Sequence, residues 1–356
     1  MKVTTSQAYA NLKARRNPEQ DTTIFEAFDA LPESEAVKYL AGAMEPIPPT
    51  YTANTIQEAE RVRNQITKGL EVEGLGAEFE IQGSVIKNTH IRGYSDVDLL
   101  VVEGRFITYG PSQQVAVPYT GDPVKDLLQI RRIVINRLTT SFWEATVDSS
   151  GAKSVKISGG SLRRTVDVVP GNWFHTAEYS ESRNRVLLEV QILDAHKEAR
   201  GKPDPLFLHG AWLDHQEART GGNGKKLIRL LKSLKYESSL GKAAMSSYDI
   251  ESIVFRMDEE ELKKFSRGQE LALALHCYGW LHLLEQDQRL RESLDTPDQR
   301  RKIFSDGFAT LTQLRDLKTD LGQLLNEIQR GLSNSARKLA EARLSFPSAP
   351  SRPWGF

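Results

Sequence analysis

Residues 81–104 read IQGSVIKNTHIRGYSDVDLLVVEG, and the fold turns on that stretch. The pair Gly83-Ser84 closes one apolar run. Twelve residues after Ser84 the next run opens with Asp96 and Asp98 at D-x-D spacing. On a strand, side chains at i and i+2 project to the same face, so both carboxylates stand together among Val and Leu. Like charges that close repel unless a cation lies between them, and all-oxygen donors suit Mg²⁺ or Mn²⁺. The Gly-Ser turn adds backbone N–H groups and a hydroxyl, the donors a phosphate tail needs. The stretch reads as a nucleotide and metal site.

An isolated D-x-D is more often the end of a turn, with one carboxylate in water. Three features favour the site here. The Gly-Ser turn lies at the right distance. Leu99-Leu100-Val101-Val102 reads as a buried central strand and not as a solvated edge. A third carboxylate, Asp167, lies in RRTVDVVPG, after KSVKISGGSLRR, where Gly159-Gly160 joins two strand-like runs. A hairpin there would lift Asp167 beside the first pair.

The order GS, D-V-D, then a later strand Asp resembles the polymerase-β-like nucleotidyltransferases. Within that superfamily the chain resembles the CD-NTases, bacterial relatives of cyclic GMP-AMP synthase and oligoadenylate synthase. KKLIRLLKSLKYE (225–237) and MSSYDIES (245–252) also carry the likeness, which spans roughly residues 20–340. It implies an α+β fold: a nucleotidyltransferase lobe on a mixed sheet, an all-helical C-terminal lobe, and an active site in the cleft between. It further implies Asp96, Asp98 and Asp167 as catalytic residues and metal ligands for two Mg²⁺ ions, with Mn²⁺ a substitute. Asp167 is then a candidate base as well as a ligand. Gly83, Ser84, Lys232 and Ser247 would hold the triphosphate, and Tyr248 would stack on a base.

The helix at 225–237 can be read without the likeness. Leu227, Leu230, Leu231 and Leu234 form one apolar stripe, while Lys225, Arg229, Lys232 and Tyr236 fall on another face. Alone, that second face would be a solvated basic one, and Tyr248 a half-buried core tyrosine. GGNGKKL (221–227) is no phosphate loop, because Lys226 stands where Ser or Thr is required and Arg219 where the first glycine belongs. It reads as a turn and helix start. His276, Cys277 and His282 sit in the apolar LALALHCYGWLHLL, so core packing outweighs metal binding. The single cysteine excludes a disulfide and a zinc ribbon. His90 and His175 lie near the motifs without a readable role.

The 356 residues are enough for two lobes, and 39% hydrophobic with 26% charged residues is ordinary for a globular chain. MKVTTSQAYANLKARR has no apolar core, and no run reaches membrane-spanning length, so a cytoplasmic enzyme without membrane contact is expected. Lys and Arg number 47 against 47 Asp and Glu, a balance that disfavours a protein that permanently holds nucleic acid. Helices are expected at 7–16, 20–45, 55–70 and 124–139, with strands at 77–83, 96–102, 153–158 and 164–169. Beyond residue 180 the pattern is helical: 191–199, 205–219, 224–238, 247–255, 259–287, 297–305 and 307–343. The domain expectation is a catalytic lobe over 1–185, a helical lobe over 186–345 and an extended tail at 346–356.

The likeness implies attack of a ribose hydroxyl on an α-phosphate, pyrophosphate release, and a cyclic di- or trinucleotide from ATP and/or GTP. In relatives such products activate a neighbouring effector during phage defence. An RNA terminus- or tail-adding nucleotidyltransferase and a linear oligonucleotide synthase remain alternatives. The intact carboxylates speak against a sensor with a dead site.

Overall fold

The computed structural model describes residues 4–14, 34–91, 93, 95–111, 113, 115, 117–238 and 244–331. The expected tail at 346–356, and parts of the helices expected at 20–45 and 307–343, lie outside them. The chain forms two compact units: Pro48–Asn88 with Ser95–Ala211, and Met1–Ile47 with Thr89–Tyr94 and Trp212–Phe356. This grouping differs from a division at residue 185. The strands and turns up to residue 211 complete the sheet, while the N-terminal helices share the core of the C-terminal ones.

Among the described residues the sheet unit contains eight strands: β1 Ala77–Gln82, β2 Val97–Glu103, β3 Thr108–Tyr109, β4 Ala145–Asp148, β5 Val155–Gly159, β6 Val166–His175, β7 Glu189–Asp194 and β8 Ala199–Arg200. The main order is β1-β2-β6-β5-β4, with β3 and β7 also on β6 and β8 on β7. β2 and β3 run parallel to β6 and the other pairings are antiparallel, so the sheet is mixed. β2 is central because Val and Leu fill both of its faces. Val97, Leu99 and Val101 pack with Ala59, Val62 and Ile66 of the helix Pro49–Val72 and with Ile130, Val134 and Leu138 of the helix Pro123–Ser141. Leu100 and Val102 face the other way, onto Trp173, Leu188 and Val190. Burying each such side chain contributes about 1.5–3 kcal/mol. Asp122 caps the helix Pro123–Ser141, accepting from the N–H of Val124 and of Lys125, with proline at the first position where a missing N–H costs nothing.

The expected helix at 191–199 is instead β7 and its turn into β8. β-Branched Val190 and Ile192 fit a pleated surface, and β7 completes its ladder on Gly171–Phe174 of β6. The segment expected as a helix at 297–305 is irregular, pinned by a bridge between Asp295 and Lys302. The run expected at 259–287 divides into Glu259–Leu262 and Glu270–Gln286, with Gly268 between them at φ +87°.

In the helical unit Leu227, Leu230, Leu231 and Leu234 of the helix Asn223–Glu237 are buried, as the stripe requires. They share a core with Tyr39, Leu40, Met44, Ile253, Trp280 and Leu321, among others. Cys277 is buried there too, its thiol pushed up to about 12 by burial, and His276 packs against the Phe265 ring. The basic face is not solvated. Lys225 reaches Asp214 and Glu217 at 2.6 Å each, Arg229 donates to the Met44 carbonyl, and Lys232 pairs with Glu251. The helix is surrounded by other elements, so its charges are neutralised by protein and not by water. The GGNGKKL turn behaves as a helix start: Gly222 takes φ +83° before the helix, and Asn223 donates to the Leu262 and Phe265 carbonyls.

Candidate active site

Strand register builds the centre of the site. Gln82, Asp98, Asp167, Lys156 and Asp148 are successive ladder partners across β1, β2, β6, β5 and β4. Neighbours on each strand are the buried Val97 and Leu99, Val166 and Val168, and Val155 and Ile157, which all face the helices. The period of two therefore sends Asp98, Asp167 and Lys156 to the opposite face together. Asp96, two residues before Asp98 and just outside β2, belongs to the same side. The hairpin through Gly159 and Gly160, at φ +78° and +58°, brings β5 back against β6 and fixes Asp167 in this row. Two aspartates directly opposite on adjacent strands destabilise a sheet, an arrangement expected only where function requires it.

Electrostatics bears the strain out. Burial, then the charges of Asp167 and Asp96, push the Asp98 carboxyl up to about 6, against the pull of Lys87 and Lys156. Burial also raises Asp167; Lys156 opposes that shift and the Asp96 charge adds to it. Burial works to lower the Lys156 ammonium, but its hydrogen bond to Asp96 and the two carboxylate charges outweigh this and leave it above its ordinary value. Lys156 Nζ lies 2.6 Å from Asp96 Oδ2 and 3.5 Å from Asp167 Oδ1. Asp167 Oδ1 is nevertheless buried without a well-formed hydrogen bond, so the lysine acts on it chiefly as a charge.

Among the described residues, no three His, Cys, Asp or Glu side chains already converge on one point as metal ligands. The donor set still fits a hard divalent cation. It is all oxygen, it holds excess negative charge, and one buried carboxylate oxygen has no hydrogen-bond donor.

Gly83 explains the Gly-Ser signal. It ends β1 at φ +81°, and a Cβ there would run into the Asp98 carboxylate. Backbone conformation and proximity to the site therefore both demand glycine. Ser84 follows in the turn over 83–88, with Lys87 N–H donating to the Gly83 carbonyl.

The other expected residues lie in the helical unit. Ser246 caps the helix Ser247–Phe255, so Ser247 is its first residue. The lysine that reaches Ser247 is Lys235, with Nζ 3.2 Å from Oγ, and not Lys232. Lys232 is 2% exposed and stands 3.4 Å from Glu251, whose carboxylate also accepts from Thr89 Oγ1. Its place is that of a core ion pair. Burial lowers the Lys235 ammonium while Asp249 and Glu251 oppose the shift, and an ammonium in that condition gains from an added anion. Tyr248 donates its hydroxyl to Asp298 at 2.8 Å. The Arg301 guanidinium lies 5.1 Å from the Tyr248 ring centroid and is paired with Asp249. His90 is buried in the helical unit, and His175 joins an aromatic group with Tyr109 and Tyr179.

Two residues escaped the sequence reading. Lys156 was legible as the inward-outward alternate of Val155 and Ile157 opposite Asp167. Lys235 stands one helical turn beyond Lys232 and has no sequence mark of its own. The different surroundings of Lys232 and Lys235 give different expected outcomes. Lys232→Ala is expected to destabilise the protein by about 3 kcal/mol or more, because Glu251 loses its buried cation. Lys235→Ala is expected to leave the melting temperature nearly unchanged but to weaken triphosphate binding, and to matter less as salt rises. Melting curves and nucleotide titrations at two ionic strengths decide it, and the reverse pattern would return the phosphate role to Lys232.

Comparison with known proteins adds a consistent set of relatives. Residues 212–329 match the cGAS/DncV-like nucleotidyltransferase C-terminal helical domain. The chain is 35% identical over 272 residues to the cyclic dinucleotide synthase CdnE of Yersinia aleksiciae, covering 76% of this chain and 70% of that one. It is 28% identical over 355 residues to a c-di-GMP synthase of Capnocytophaga granulosa, covering 92% and 97%. The solved structure of the STING-associated CdnE c-di-GMP synthase from Capnocytophaga granulosa superimposes with a TM-score of 0.74 at 26% identity, over 93% of this chain and all of that one.

Proposed function

The chain belongs to the CD-NTase family, and on that premise we propose that it joins two nucleoside triphosphates into a cyclic dinucleotide, releasing pyrophosphate at each bond. It is a divalent-metal-dependent nucleotidyltransferase that produces a cyclic oligonucleotide. The observation that carries the reading is the Asp98–Asp167 ladder pair with Asp96 beside it, in a chain similar throughout to cyclic dinucleotide synthases. GTP and ATP are the proposed substrates, with guanine favoured by the c-di-GMP synthases among the relatives.

Asp96, Asp98 and Asp167 are the proposed ligands for Mg²⁺, two ions in all, with Mn²⁺ a substitute. When bound, such ions stabilise charge on the attacking and leaving oxygens. Asp167 is proposed to take the proton of the attacking ribose hydroxyl, since a carboxyl raised by burial is the stronger base. Gly83, Ser84 and Ser247 are proposed to donate to the phosphates, with Lys235, hydrogen-bonded to Ser247, proposed in the place expected of Lys232, and Tyr248 is proposed to offer a ring to a base. An effector that answers to a cyclic dinucleotide is the proposed partner, since one relative is STING-associated. The proposed location is the cytoplasm. No helix among the described residues is long and apolar enough to cross a membrane.

The test is incubation with all four ribonucleoside triphosphates and Mg²⁺, without polynucleotide, followed by phosphatase, an end-requiring exonuclease and mass spectrometry. A cyclic product has no terminal phosphate and survives both enzymes. Product destroyed by them, or growth on an added RNA primer, would indicate a linear or tailing enzyme instead. Excess EDTA is expected to stop the reaction, Mn²⁺ to restore it, and Zn²⁺ to fail.

A further inference from the structure

Lys156 has no part in the chemistry just described, yet its ammonium is set against Asp96 and Asp167, while Lys87 adds its charge at Asp98. Val155 and Ile157 are fixed in the core, so the side chain between them can project only to the carboxylate face. Its ladder partners are Asp167 on one side and Asp148 on the other. Its ammonium lies 2.6 Å from Asp96 Oδ2 and 3.5 Å from Asp167 Oδ1. A half-exposed ion pair contributes little to stability, and Lys156 and Asp96 are 41% and 38% exposed, so folding alone gives weak reason for the pairing. Coordination supplies a stronger one. An ammonium at hydrogen-bond distance takes up a lone-pair direction on Asp96 that a hard cation also needs, and its charge repels that cation.

We propose that Lys156 is a built-in counter-ion of Asp96 and Asp167 that a divalent cation must displace. The bare carboxylates then hold metal weakly, and the metal enters with the nucleotide, whose phosphate oxygens complete the ligand set. Lys156 is in this sense a positioning residue for metal loading. The proposal rests on the metal-site reading above, and the experiment keeps the two apart.

Mn²⁺ binding to the full-length, nucleotide-free protein is followed by electron paramagnetic resonance of the free ion. Lys156→Met is expected to tighten binding by roughly three- to tenfold, the size that loss of one or two modest ion pairs allows. Lys156→Arg should stay near the wild type. A non-reactive triphosphate analogue should narrow the gap between Lys156→Met and wild type. If circular dichroism shows the Met variant misfolded, Lys156→Gln is read in its place. Mn²⁺ binding no tighter than wild type in the folded variant overturns the counter-ion proposal. Asp96→Asn with Asp98→Asn is the control. If that variant loses Mn²⁺ while Lys156→Met is unchanged, only the counter-ion proposal fails. If it binds Mn²⁺ as wild type does, the metal-site reading fails first.

Discussion

Replacing Asp96 and Asp98 together by Asn is expected to lower cyclic-product formation by about a thousandfold or more, because the variant loses several kcal/mol of charge stabilisation in the transition state. The fold should survive. Asp98 is an unfavourable residue in the metal-free sheet, raised to about 6 by burial and by the charges of Asp167 and Asp96. The native state therefore holds its proton more tightly than the unfolded chain, whose carboxyl titrates near 3.8. Stability falls as pH rises between those values, and the penalty is complete above about pH 6. Asp98→Asn removes the penalty, a gain of about 1–2 kcal/mol after allowance for solvent at a half-buried site. The gain should be absent below about pH 4, grow between pH 4 and 6, and level off above. A saturating divalent cation should shrink it by restoring the wild type. Wild-type turnover in the double variant would end the metal-site reading, and a variant less stable than wild type at pH 8 would show that the carboxylates serve the fold.

Gly83→Ala is expected to cost about a hundredfold in turnover, the scale of a misplacement near 1 Å at a reacting centre. Two penalties combine there. A left-handed backbone costs a non-glycine residue roughly 1–2 kcal/mol, and the new methyl pushes on the Asp98 carboxylate. Gly74→Ala separates them. Gly74 also has positive φ, at +67°, but a Cβ there meets nothing within 4 Å. Its substitution should lower the melting temperature and leave turnover intact. Equal losses of turnover in the two variants would remove any special role for the Gly83–Asp98 contact.

The carboxylate row was legible because period-two alternation and the Gly159-Gly160 hairpin are local signals. β2, β5 and β6 were expected within a few residues of where they lie, although β6 runs on to His175. β7 was misread as a helix because Leu193, Ala195 and the charges at 197–198 mimic one turn. Its strand character comes from pairing with Gly171–Phe174 of the preceding strand β6, a contact that lies outside the segment whose pattern was read. The lysines of the helix Asn223–Glu237 were harder still. A basic residue looks the same in sequence whether water, a phosphate or a buried carboxylate faces it, so Lys225 was read as part of a solvated face, Lys232 was expected on the triphosphate, and Lys235 was not singled out.

The chain enters and leaves each unit more than once, since residues 1–47, 89–94 and those from 212 onward share one unit. Neither unit is an uninterrupted length of polypeptide. A gene fragment beginning at 212 would omit Tyr39, Leu40, Ala43 and Met44, which belong to the same core as the leucine stripe at 227–234. Expressed alone it would expose that stripe and aggregate, so the helical unit cannot be transplanted as a cassette without carrying its distant N-terminal segment along.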